Sequence, residues 1–255
     1  MAVFHFCFDL SNFRLIQADF YRDPLWTTQR TCILSLFLLC AGAGQAVATH
    51  QGQTWARFWR RWAQVVGCAL LVTLGSAWMF PRSFIYFGVL HGMAVMLIVA
   101  RLSAPLGPWL WPLGAVALSL PRFFGAPFFD SVWMNWTGLV THKPITEDYV
   151  PVLPWIGVMF WGLAATQWTL KHRPQWMSWA ACPDTAAQAH RRQSGGGTCG
   201  DNTAPTRHPA PRPPMRLRQA LVTLGQWSLT FYMVHQPVLI GLLQGWMALR
   251  GRPPH

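Results

Sequence analysis

The chain has 255 residues, of which 52% are hydrophobic and only 11% charged, against about 25% charged in an ordinary soluble domain. That deficit excludes a single water-soluble core, and the 14% aromatic share suits side chains at a lipid–water boundary. The net charge of +12 does not imply a nucleic-acid partner. The basic residues fall in connecting loops, as the positive-inside bias of membrane proteins places them, and no basic and aromatic stripe forms that could track phosphates.

In chain order, apolar segments are predicted at 1–16, 31–49, 63–80, 84–100, 108–120, 151–170 and 220–248. Residues 31–50, 62–81, 83–100, 102–121 and 219–249 contain no Asp, Glu, Lys or Arg, and a bilayer-spanning helix needs about 20 apolar residues. The expected fold is all-α, a polytopic transmembrane helix bundle of seven segments. The first segment is short. Its sixteen residues would rise about 24 Å against roughly 30 Å of hydrocarbon, so it reads as a truncated helix. It lacks the basic leader and small-residue cleavage site of a signal peptide.

Arg57, Arg60 and Arg61 in the 50–62 loop, Arg101, and the basic residues of 171–219 mark the cytoplasmic side. Alternation then places the amino end inside, and 17–30, 81–83, 121–150 and the carboxyl end outside. The outer segments hold Asp19, Asp23, Asp130, Glu147 and Asp148. Residues 123–139, rich in Phe and Trp but interrupted by Asp130, read as an interfacial or re-entrant segment. The organisation expected is a membrane bundle over 1–170, a cytoplasmic linker over 171–219, a last transmembrane helix over 220–248 and a tail over 249–255. Gly, Pro and Ser crowd 182–215, which predicts disorder there. Gly241 with Gly245, and Gly44 with Ala48, offer small-residue seams for helix contacts. Pro237 should kink the last helix, because it removes a backbone donor.

Of the six cysteines, Cys7, Cys32, Cys40 and Cys68 lie in apolar segments, whereas Cys182 and Cys199 lie in the linker. With no CxxC spacing, neither a disulfide framework nor a zinc site is supported.

Polar residues within apolar segments are costly and usually mark function. His5 and Asp9 are four residues apart, on one face of a helix. A carboxylate beside an imidazole fixes its tautomer and raises its basicity, which suits a general base; the alternative is a helix-end pair that orients the chain. His91 is flanked by Gly88 and Gly92, which leave room for a close neighbour or a ligand, or for an interhelical hydrogen bond. His235 precedes Pro237, where a carbonyl freed by the proline would give it a structural role. Gln45, Thr73, Ser76, Gln226 and Ser228 read as packing or hydrogen-bonding residues. No HxxxH or ExxH spacing accompanies the histidines, so no metal is expected.

Several ordered motifs resemble the bacterial members of one family, that of the heparan-alpha-glucosaminide N-acetyltransferase catalytic domain. They are His5-Phe-Cys-Phe-Asp9-Leu10, Phe20-Tyr-Arg-Asp-Pro-Leu-Trp26, Ser35-Leu-Phe-Leu-Leu-Cys-Ala-Gly42, Phe84-Ile-Tyr-Phe-Gly-Val-Leu-His91, Asp148-Tyr-Val-Pro-Val-Leu-Pro-Trp-Ile-Gly157 and Ser228-Leu-Thr-Phe-Tyr-Met-Val-His-Gln-Pro237. The resemblance covers nearly all of the chain outside 175–215. The family's first helix normally begins earlier, with an acidic residue and an Arg-Gly pair that this sequence lacks.

The resemblance implies acyl transfer across a membrane, with acetyl-CoA as co-substrate and a central bundle histidine, for which His5 is the best candidate. It also implies a bacterial inner membrane. On that reading His5 is the base or transient acetyl carrier, Asp9 orients it, and His91 and His235 complete the polar centre. Arg57, Arg60, Arg61 and Arg101 would hold the CoA phosphates, or would serve only as topology signals that contact lipid headgroups. Trp133, Trp136, Asp148 and Tyr149 would meet a sugar-like or envelope acceptor, although tryptophans here also fit an aromatic belt. The lipid bilayer is the partner expected throughout, and a homo-oligomer is left open. Two other readings stand beside this one. One is a transporter with a buried histidine site, although the two halves show no clear internal repeat; the other is a membrane subunit that recruits a partner through its linker.

Overall fold

The computed structural model describes residues 1–13, 15–17, 19–20, 22–79, 81, 84–142, 144, 146, 148–172 and 215–250. Among these every regular element is helical. The apolar stretches read from sequence become α1 (Ala2–Asn12), α2 (Pro24–His50), α3 (Trp55–Met79), α4 (Val89–Ser103), α5 (Leu110–Phe123), α6 (Val152–His172) and α7 (Met215–Leu249). Among the described residues two runs are long and apolar enough to cross a membrane, Pro24–His50 and Val89–Phe123. The second contains a sharp bend. Pro105 and Pro108 bracket Gly107, whose φ of 55° breaks the helix into α4, a 3₁₀ turn (Ala104–Trp109) and α5. The sequence reading separates the same two segments, as 84–100 and 108–120.

Local chemistry sets the boundaries. Asp23 caps α2 by accepting from Leu25 N at 2.9 Å, with Pro24 in the first helical position. Gly52, at φ 65°, then turns the chain into α3. The last helix starts at Met215, five residues before the predicted 220, and runs on through Pro237. The expected disorder at 182–215, with Cys182 and Cys199, lies outside the described residues except for Met215, and so does the tail beyond Arg250.

The core joins α2, α4, α5 and α6 around Leu38, Met96, Leu110, Met159 and Leu163, all fully buried. Backbone meets backbone where α2 crosses α6. A Cβ on Gly42 would collide with the Met159 carbonyl oxygen, and one on Gly162 with that of Leu39, so only glycine fits. The seams expected from sequence are not used this way. Gly44, Gly241 and Gly245 face open space among the described residues, because small-residue spacing marks a smooth face without saying whether a neighbour meets it. Leu71, Leu74, Trp78, Leu102 and Val116 stay exposed on the outside of their helices, the inverse of a water-facing helix surface.

α3 lies against α4, tied by Trp62 Nε1 donating to the Ala94 carbonyl at 2.8 Å. An aromatic group holds α1 in place: Phe4 meets Phe20 edge-on at 5.6 Å, and Phe20 lies 4.3 Å from Trp26 at the start of α2. The chain divides into two units, Met1–Gln167 with Thr230–His255, and Trp168–Leu229. All of the candidate site belongs to the first. In the second, the Trp168 ring stacks on His172 at 4.9 Å.

Candidate functional site

The polar centre forms where α1 meets the second half of α7. The His5 and His235 rings approach to 5.2 Å between centroids, tilted by 59°. His235 is buried and lies parallel to Phe231 at 5.4 Å. Its Nδ1 is 2.8 Å from the Tyr232 carbonyl and 3.0 Å from that of Phe231. Carbonyl oxygens only accept, so Nδ1 carries the proton and Nε2 presents a lone pair. Nε2 is buried and has no hydrogen-bond partner among the described residues.

The carbonyls involved correct the sequence expectation. Pro237 frees the carbonyl four residues before it, that of Met233. The imidazole instead shares two carbonyls already within the helix ladder. Tyr232, in the same turn, has its ring 6.0 Å from His235 and stacks on Phe37 of α2 at 6.3 Å.

Asp9 does not orient His5. The carboxylate is 3% exposed, and its Oδ2 has no hydrogen-bond partner among the described residues. Four-residue spacing puts two Cβ atoms about 5–6 Å apart, which allows a bond without compelling one. Here the His5 ring lies beside His235 of α7 and packs edge-on against Phe4.

His91 is built differently. Thr73 of α3 donates its hydroxyl proton to the Ile85 carbonyl at 2.8 Å, so Thr73 Oγ1 accepts from His91 Nε2 at 3.1 Å. His91 Nδ1 in turn accepts from Gly88 N at 3.3 Å. Both ring nitrogens are occupied in capping α4 and tying it to α3, since Gly88 has no side chain to cap with. The room beside Gly88 and Gly92 is also filled. A Cβ on Gly88 would lie 2.5 Å from Asp148 Oδ2, and one on Gly92 would lie 2.6 Å from the Val150 carbonyl oxygen.

Asp148 completes that cap. Its Oδ2 accepts from Val89 N at 2.7 Å, where the positive end of the α4 dipole favours a carboxylate. The neighbouring Tyr149 donates to the Asn135 carbonyl at 2.6 Å. Burial, reinforced by Tyr86 and Asp130, pushes its pKa up to about 12, so the phenol stays a donor at neutral pH. Asn135 is almost wholly buried and donates from Nδ2 to Tyr86 Oη at 2.6 Å. Burial raises the Tyr86 pKa, and the Asn135 bond partly offsets the rise. At the far side of the segment, Asp130 accepts from the Thr141 hydroxyl and amide and from His142 N. These bonds, the hydroxyl first, hold its carboxyl below the usual range. Trp133 stands apart from this group: it is 86% exposed and makes no hydrogen bond or ring contact among the described residues. Trp136 lies closer in, 6.4 Å from Phe87.

At the other end of α4, Arg101 is buried against α3, its guanidinium 5.4 Å from the Trp55 ring and 5.8 Å from Phe58. Nη2 donates to the Gln53 carbonyl, while Nη1 is buried without a partner among the described residues. Arg57, Arg60 and Arg61 are all exposed. Phe58 and Ala69 are buried on α3 and Trp62 ties it to α4, while the three arginines stay on its surface. The expected cluster of four arginines is therefore one buried arginine and three surface ones.

Sequence reasoning missed Asn135 and Tyr86. Each is a lone polar group in an aromatic run, and no spacing links the two. No group of three or more His, Cys, Asp or Glu residues that could hold a metal ion occurs among the described residues.

No curated protein and no solved structure shows significant similarity to this chain. Residues 1–198 match the family model described as heparan-alpha-glucosaminide N-acetyltransferase, catalytic, which takes in α1 to α6 with His5, His91, Arg101, Asn135 and Asp148. The match covers well over half of the sequence, and the chain belongs to the heparan-alpha-glucosaminide N-acetyltransferase catalytic family.

Proposed function

We propose that the protein is an integral membrane acetyltransferase that moves an acetyl group from acetyl-CoA to an amino or hydroxyl group of a sugar-like or envelope acceptor. His5 and His235 form its reacting pair. Family membership supports acetyl transfer. The observation that carries the assignment to residues is the His5–His235 approach, with the His235 tautomer held by two carbonyls.

In this reading His235 Nε2 or the adjacent His5 takes the proton from the acceptor nitrogen or oxygen as that atom attacks the acetyl carbonyl carbon. The carbon–sulfur bond breaks, and the sulfur leaves as thiolate to be protonated. A base already in the correct tautomer needs no reorganisation at that moment. Asp9, close by in the chain but not bonded to His5, adds a second proton-accepting group. His91 and Asp148 position the start of α4, and Asp148 and Tyr149 border the acceptor side.

Arg101 fits the donor side. A buried guanidinium with unmatched N–H groups calls for an anion, and a phosphate oxygen suits it. The exposed Arg57, Arg60 and Arg61 would contribute long-range attraction to the same phosphates. Trp133 would meet the acceptor only at the surface. The linker 171–219 lies on the cytoplasmic side and the acceptor on the other, in a bacterial inner membrane.

The test is inverted membrane vesicles supplied with radiolabelled acetyl-CoA and a lumenal amino sugar. Label on the sugar that requires the intact protein is expected. Vesicles that bind CoA yet transfer no label to any amine or alcohol would contradict the reading.

A further inference from the structure

We infer that Asn135 of the 124–150 segment and Tyr86, just before α4, form a hydroxyl-recognising subsite that sets which acceptor is held; the inference rests on the acetyl-transfer reading for what the subsite serves. Asn135 is 1% exposed. Its amide can donate two hydrogen bonds and accept two. One Nδ2 proton goes to Tyr86 Oη at 2.6 Å, and Oδ1 is buried with no partner among the described residues.

Turning the amide over does not remove the mismatch. Oδ1 would then accept from the Tyr86 hydroxyl, and Nδ2 would take the place without a partner. In either orientation one polar end of the amide carries its full desolvation penalty.

The surroundings are tightly built. Tyr149 fixes the Asn135 carbonyl at 2.6 Å, Thr146 Oγ1 donates to the Phe84 carbonyl at 3.0 Å, and Asp148 caps α4 at 2.7 Å. Leucine has nearly the shape of asparagine and would pack there without the penalty. A rigid scaffold that keeps unmatched polar capacity at its most buried side chain is the mark of recognition.

The chemistry of the ligand group follows. It must donate to Oδ1 or accept from Nδ2, and pair with the phenol beside it. A carboxylate can only accept and an ammonium can only donate, whereas an alcohol hydroxyl does both. The subsite lies on the segment that carries Asp148, thirteen residues along, whose carboxylate caps α4, on the side that the acetyl-transfer reading gives to the acceptor.

The experiment is calorimetric titration of the detergent-solubilised full chain with D-glucosamine and with cyclohexylamine, which has a six-membered ring and an amine but no hydroxyl. Glucosamine is expected to bind about tenfold more tightly. Tyr86→Phe and Asn135→Leu should each erase about that factor for glucosamine while shifting cyclohexylamine by less than about twofold. Equal binding of the two amines by the unmodified chain, including no measurable binding of either, overturns the inference. So does an equal loss for both amines in the variants, which is the result a structural pin gives. Binding needs no acetyl-CoA, so a failed transfer assay beside an intact preference would count against the acetyl-transfer reading and leave the subsite standing.

Discussion

The first turn of α4 holds a half-buried histidine and the middle of α7 a buried one, each in an apolar helix; sequence alone leaves the first open between ligand and packing roles and reads the second as structural. At His91 both ring nitrogens are matched, one by Gly88 N and one by Thr73 Oγ1. At His235 one nitrogen is doubly matched and the other has no partner among the described residues. A matched buried group contributes to the fold, whereas an unmatched one costs stability and is retained where chemistry needs it. The same contrast divides the rest of the molecule: Asp130 and Tyr149 are matched, while Arg101, Asn135 and Asp9 keep spare capacity.

The largest expected effect sharpens that contrast directly. His235→Ala should lower acetyl transfer by about 100-fold or more with little loss of folded protein. His91→Ala should do the opposite. Losing a cap and an interhelical bond costs about 1–2 kcal/mol, read as a lower melting temperature, while transfer per folded molecule changes by less than about threefold. Activity and thermal unfolding measured side by side on both variants would break the comparison if the two behaved alike.

Arg101→Gln extends it to the other end of α4. The KM for acetyl-CoA should rise about tenfold or more while the acceptor KM holds, and Arg101→Lys should not restore it, because a point charge cannot reproduce the planar fork. Steady-state kinetics in both substrates checks this. Gly42→Ala probes packing with no polar term at all. A Cβ there would collide with the Met159 carbonyl, and overpacking of this kind costs about 1–3 kcal/mol, so the melting temperature should fall while both KM values persist.

The smallest effect concerns a matched surface group. The Asp130 carboxyl is held below its ordinary value by the Thr141 hydroxyl. Its contribution to local order is therefore complete above the usual carboxylate range and disappears as pH falls through the lowered pKa. Amide exchange across 124–142 should rise at that acid end, and Asp130→Asn should flatten the pH dependence.

The helices were legible because charge-free apolar runs act locally, with Arg101 following the fourth run. The start of α2 at Asp23-Pro24 was not, because the apolar run proper begins only at 31, after Arg30. His5 and His235 were legible as costly residues in apolar segments, but their meeting was not, since 230 residues separate them. The His5–Asp9 spacing pointed to a bond that the structure does not form, because helical spacing sets a shared face and a neighbouring helix decides which way the ring lies. Asn135 and Tyr86 were invisible, since a lone asparagine among aromatics gains meaning only from its burial. The four arginines divided for a related reason: a charge run marks a side of the membrane without saying which member turns inward.

The central claim is that His5 and His235 act as one unit, and the most direct measurement is acetyl transfer by His5→Ala, His235→Ala and the double variant under identical conditions. Groups that serve one step lose activity non-additively. Each single variant should fall by about 100-fold or more, and the double variant should be no slower than the slower single one. Losses that multiply in the double variant, or a single variant that keeps full transfer, would contradict the account and assign the chemistry to one histidine alone.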